Sequence, residues 1–144
     1  MTTIVVGVNN QATALAAFSR AKSLAQLTDA NLHLVYAVAA GDTAAEATAR
    51  RHAEGLLESL ALSSGHPVAV HVIAGKPHDA ILQVASQQHA DLVVIGNKGL
   101  TKHGRFTREV PALVLRGATC SVLVVDTATG STAGKDSTPS QPFG

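Results

Sequence analysis

The chain has 144 residues, a formal net charge of +1 and 46% hydrophobic residues, with aromatics at only 3% and no tryptophan. That length suits one domain whose core is built from Val, Leu, Ile and Ala rather than from aromatic rings. The near-neutral charge gives no electrostatic reason to expect nucleic acid or an anionic membrane as a partner, and no apolar stretch reaches membrane-spanning length.

Ile4-Val5-Val6-Gly7-Val8 opens the chain as a first strand. No basic segment followed by a long apolar run precedes it, so no cleavable leader is expected. Ala14, Leu15, Phe18, Ala21, Leu24, Ala25 and Leu27 recur at helical spacing and predict a helix over 12–28, capped by Asn9 or Asn10. Leu32 to Val38 reads as a second strand. Asp42-Thr43-Ala44, with Glu46 in the first turn, starts a second helix. It runs through Ala53, Leu56, Leu57 and Leu60, read as core, until Ser63-Ser64-Gly65-His66-Pro67 stops it. Val68 to Ile73 is a third strand. Gly75-Lys76-Pro77-His78 then turns the chain into a third helix with Ala80, Ile81, Val84 and Ala85 on its inner face. Asp91 to Ile95 is a fourth strand, followed by the loop Gly96-Asn97-Lys98-Gly99. Val110 to Leu115 reads as a short helix, with Glu109 just before it, and Ser121 to Val125 as the last strand. Residues 127–144 are rich in Ser, Thr, Gly and Pro, so 1–126 is the expected domain and 127–144 a disordered tail.

Strict alternation of strand and helix predicts an α/β fold. The sheet is expected to be open, doubly wound, parallel and five-stranded, in the order 3-2-1-4-5, with helices on both faces. The strand order then reverses between strands one and four, and ligands of such sheets sit outside the carboxyl ends of the strands at that point. The loops after Val8 and Ile95 meet there. Gly96 and Gly99 let bare N–H groups approach a phosphate, although the same spacing also serves a plain tight turn. Lys98, Lys102, His103, Arg105 and Arg108 make the segment basic, as an anion site or as a solvated loop.

Other chemistry is poorly represented. The seven histidines show no metal-ligand spacing, and no metal site is expected. Cys120, the one cysteine, excludes an internal disulfide, fits a reducing cytoplasmic setting, and is expected to be a small buried hydrophobe. Neither a Gly-x-Ser-x-Gly elbow nor a Gly-x-x-x-x-Gly-Lys-Ser/Thr loop is present, so no catalytic residue is named.

The opening strand, the Gly75-Lys76-Pro77 turn, Asp91 to Gly99, and Val110-Pro111 with Ala118 to Val125 together resemble the universal stress protein family, over nearly all of residues 1–126. The resemblance implies an adenine-nucleotide alpha-hydrolase-like fold and a symmetric homodimer joined through the strand Ser121–Val125. It also implies a regulatory role without a defined reaction. Some members bind ATP and others do not. The implied nucleotide site falls on Val8, Asn9, Ala37, Gly96, Asn97, Gly99, Arg108, Glu109 and Val110, with ATP, AMP or another adenine nucleotide as ligand.

The pattern of ATP-binding members is Gly-x-x-Gly, nine residues, then Gly-Ser or Gly-Thr, with Asp ending the first strand. Here Arg108-Glu109 stands for Gly-Ser, the loop is one residue shorter, and Asn9 stands for Asp. Arg108 adds bulk where backbone would meet phosphate. Glu109 brings a negative charge expected at the helix start, where it would compete with a ligand anion. Two readings follow: a weak nucleotide binder with an altered loop, or a dimeric interaction module without ATP. A hydrolase finds no base or nucleophile beyond Glu109 and His103.

Overall fold

A computed structural model describes residues 2–8, 11–39, 41, 43–97 and 104–126, with side chains for all of these except 11–14, 97, 104–109 and 126. Among the described residues five strands alternate with four helices: β1 (Thr3–Val8), α1 (Gln11–Thr28), β2 (Asn31–Val38), α2 (Ala44–Ser64), β3 (Val68–Ala74), α3 (Pro77–Gln87), β4 (Leu92–Asn97), α4 (Gly104–Gly117) and β5 (Ser121–Asp126). Every strand pairing is parallel, and the sheet order is β3-β2-β1-β4-β5, as the alternation predicts.

The period-2 pleat sends alternate residues of each strand to opposite faces. Ile4, Val6 and Val8 of β1, with Leu32, Leu34 and Val94, meet Ala17, Phe18, Ala21 and Ala25 of α1 and Leu57 and Leu60 of α2. Val5, Val35, Val93 and Ile95 meet Ala80, Ile81, Val84 and Ala85 of α3 and Val114 of α4. Each fully buried Val or Leu contributes about 1.5–3 kcal/mol, so the two apolar faces of β1 hold the sheet between its helix layers. No helix among the described residues is long and apolar enough to cross a membrane.

Local signals explain the helix ends. Thr43 caps α2: its hydroxyl accepts from the Glu46 N–H at 3.1 Å, while the Glu46 carboxylate accepts from the Thr43 N–H at 3.1 Å. Gly65, at φ 66°, ends the helix in the left-handed conformation that glycine adopts freely. Pro77 is the first residue of α3, where a missing N–H costs nothing.

Four expectations are corrected. The stripe of α1 that meets the sheet is Ala17, Phe18, Ala21 and Ala25, while Leu15 and Leu27 are exposed and Leu24 half-buried. At about 3.6 residues per turn Leu15 and Leu27 point away from this stripe, and Leu24 stands at its margin. In α2, Leu57 and Leu60 are buried but Leu56 is only half-buried. β4 continues past Ile95, with Gly96 paired to Val125 and Asn97 to Asp126. A neighbouring strand that carries on outweighs the local turn preference of glycine. Finally, α4 begins at Gly104, not at Val110, and encloses Pro111, which cannot donate to the carbonyl of residue 107. Asn9, Asn10 and Asp42, the expected caps, and the tail 127–144 lie outside the described residues.

Candidate functional site

The seam between β1 and β4 opens at its carboxyl end. Their register runs from Ile4↔Leu92 to Gly7↔Ile95 and stops there among the described residues. β1 stays with β2 through Val8↔Tyr36, and β4 stays with β5 through Asn97↔Asp126. Each strand follows its outer neighbour, and a crevice forms where they part. Gly7, Val8, Val35, Ala37, Pro77, Ile81, Ile95, Gly96 and Val110 line it. The space among these residues is about 280 Å³ counted out through its open mouth, while the inner part is narrow, with room for roughly one water molecule.

Small residues shape the crevice. A Cβ added to Gly7 would lie 2.5 Å from Ile81 Cδ1 and 2.9 Å from Ile95 Cγ2, so the missing side chain lets α3 press against the seam. Gly96 and Ala37 keep two further walls low. Pro77 brings the amino end of α3 to the rim, and Val110 brings α4. The lining is apolar, with backbone polar groups at the strand ends. An apolar lining with a few backbone polar groups is the usual make-up of a small-molecule site.

Of the residues named from the sequence, Val8, Ala37, Gly96 and Val110 stand together in this lining. Asn97 is the last residue of β4, and its side chain is not described. Arg108 and Glu109 lie inside α4, their side chains likewise undescribed. Glu109 is therefore not at the helix start: the first turn of α4 contains no acidic residue. The expected competition between its carboxylate and a ligand at the helix dipole is withdrawn, because α4 begins five residues before it. Asn9 and Gly99, with Lys98, Lys102 and His103, lie outside the described residues.

Sequence reasoning missed Gly7, Val35, Pro77, Ile81 and Ile95 as lining residues. Gly7 carried a usable signal, since a glycine inside an apolar strand marks close approach by another chain segment. Ile81 read only as a helix face, and nothing local says that this face ends in a crevice.

At the amino end the same seam is tied shut. The Thr3 N–H donates to Asp91 Oδ2 at 2.8 Å, and the Asp91 N–H donates to the Thr3 carbonyl at 2.8 Å. Cys120 stands nearby and is half-buried rather than buried. Burial, aided by the negative charge of Asp91, pushes its thiol pKa up, which keeps the unreactive protonated form. No group of three or more His, Cys, Asp or Glu among the described residues is placed to hold a metal ion.

Comparison with known proteins agrees with this architecture. The family model described as "Universal stress protein family" matches residues 1–126. The universal stress protein Rv1636 of Mycobacterium tuberculosis is 48% identical over 56 residues, a stretch that spans 38% of this chain and 38% of that relative. A universal stress protein crystallised in complex with cAMP superposes with a TM-score of 0.71 at 28% identity, covering 88% of this chain and 97% of its own. UspA from Lactobacillus plantarum gives 0.65 at 27% identity, covering 86% and 97%. A universal stress protein from Archaeoglobus fulgidus, at 19% identity and a TM-score of 0.71, shares the fold. With a parallel sheet in the order 3-2-1-4-5, a crevice at its switch point and a family match over residues 1–126, this chain belongs to the universal stress protein family.

Proposed function

We propose that this protein is a regulatory binder of adenine nucleotides whose purine ring lies across the open mouth of the crevice between the carboxyl ends of β1 and β4. The parting of the two strands after Gly7 and Ile95 carries this reading, because it leaves an apolar slot lined by backbone at the switch point. The relative crystallised with cAMP supports the choice of ligand. Arg108-Glu109 in place of the Gly-Ser of ATP-binding members favours one phosphate over three. The described lining offers no acid, base or nucleophile, which favours binding over catalysis. We place the protein in the cytoplasm, in keeping with its single free cysteine.

Calorimetric titration of the nucleotide-stripped protein with cAMP, AMP, ADP and ATP tests this. Micromolar binding of cAMP or AMP, weaker binding of ATP, and loss of both in Ala37→Phe are expected. No binding at millimolar nucleotide would overturn the reading in favour of an interaction module without nucleotide.

The same proposal includes a homodimer. β5 is an edge strand with partly exposed apolar side chains at Val122, Leu123, Val124 and Val125. An apolar edge that no further strand covers among the described residues favours pairing with a second copy.

A further inference from the structure

We propose that His33 and His71 form a binding site for one borderline divalent transition-metal ion, with copper(II) preferred, held by His33 Nδ1 and His71 Nε2. The sequence separates these residues widely, and only the sheet register unites them. His33 pairs with Ala69 and Val35 pairs with His71, so the two histidines are diagonal neighbours on adjacent strands. Both alternate with the residues facing α1 and α2, and so share the face on which α3 packs over β1 and β2. There they are half-buried, beside the exposed Ala69.

The spacing suits a metal. His33 Nδ1 and His71 Nε2 are 3.0 Å apart, and the rings stack with centroids 5.2 Å apart and planes inclined by 26°. Two imidazole nitrogens each about 2.0–2.1 Å from one ion are separated by roughly 2.8–3.0 Å at a right angle, and by roughly 3.3–3.4 Å at the tetrahedral angle. The observed separation is that of an N–H···N hydrogen bond, and it also lies close to the right-angle span of copper(II) and nickel(II) ligation, so only a small turn of the rings is needed. Copper(II) also leads the affinity order for nitrogen ligands.

Ligation needs both facing nitrogens unprotonated. Burial lowers the pKa of both rings, and for His33 the neighbouring His71 lowers it further. Both are therefore neutral near pH 7, with one N–H bridging the pair. On binding, the ring that donated this bridge moves its proton to the far nitrogen, and both facing lone pairs turn to the ion. No net proton is released. With two protein ligands, water fills the remaining positions, so the site is open and exchangeable rather than a closed structural centre.

The pair borders the crevice without lining it: His71 pairs with Val35, which is a lining residue, and His33 stands two residues before Val35 on the same face of β2. Neither histidine is a lining residue of the crevice, so the inference uses residues that the nucleotide reading does not. The test is titration of the full chain with copper(II), nickel(II) and zinc(II) in a non-coordinating buffer, followed by calorimetry and, for copper, by electron paramagnetic resonance. One ion per chain is expected, copper binding tightest, with nitrogen splitting from two imidazoles. His33→Ala and His71→Ala should each weaken copper binding by more than about tenfold, while His52→Ala should not. Far-ultraviolet circular dichroism confirms that each variant is folded, and His33→Gln serves if the alanine form is not. Copper bound equally well by the folded double variant, or not bound by the native chain at millimolar metal, overturns the proposal.

Discussion

The two ends of the β1–β4 seam are built from the same parallel ladder, yet they behave oppositely. At the amino end, Thr3 and Asp91 exchange two hydrogen bonds and close the seam. At the carboxyl end, the ladder stops at Gly7↔Ile95, and each strand leaves with its outer neighbour. The closed end holds the two halves of the sheet in register. The open end exposes backbone groups beside an apolar slot. A binding site arises here from stopping a regular structure, with no irregular segment needed among the described residues.

Three changes probe this contrast, and the largest effect is expected at Gly7. Gly7→Val places methyl groups where Ile81 and Ile95 already stand. It should cost about 1–3 kcal/mol by overpacking and push Ile81 into the slot, abolishing nucleotide binding. Urea unfolding and calorimetry read both effects. Full nucleotide affinity in this variant would show that the crevice is not the site.

Asp91→Ala attacks the closed end instead. It removes one side-chain acceptor from an exposed Thr3 N–H, for an expected loss of about 0.5–1 kcal/mol. Nucleotide affinity in the folded protein should stay unchanged. If affinity falls in step with stability, the two ends are coupled and the contrast fails.

The smallest effect on the fold is expected from Val124→Arg on the edge strand. The β4–β5 ladder is continuous from Leu92↔Ser121 to Asn97↔Asp126, so β5 does not share in the parting. Light scattering after size exclusion should show monomers in place of dimers, with the melting temperature and nucleotide affinity nearly those of the native chain. An unchanged dimer would move the interface away from β5.

Much of this architecture is legible in the residues themselves. Ile4 to Val8 and Leu92 to Ile95 are apolar runs that suit strands buried on both faces, and Ala80, Ile81, Val84 and Ala85 have helical spacing. The limits lie where one element depends on another. Gly96 looks like a loop residue until β5 is seen to run beside it. Val110-Pro111 looks like a helix start because proline favours a first turn, yet α4 begins at Gly104 and carries Pro111 in its interior. Leu15 and Leu27 belong to the helix but, at about 3.6 residues per turn, lie off the stripe of Ala17, Phe18, Ala21 and Ala25, and they are exposed.

The number, type and order of elements, and hence the switch point between β1 and β4, were determined by the sequence alone. Hydrophobic period and turn chemistry are local properties and survive without knowledge of neighbours. Only the tertiary structure decided what depends on register. It set where the seam opens, that Gly7 forms a wall of the slot, that Glu109 stands inside a helix, and that His33 meets His71. Pairing across 38 residues is a property of two strands laid side by side, and no window along one strand contains it.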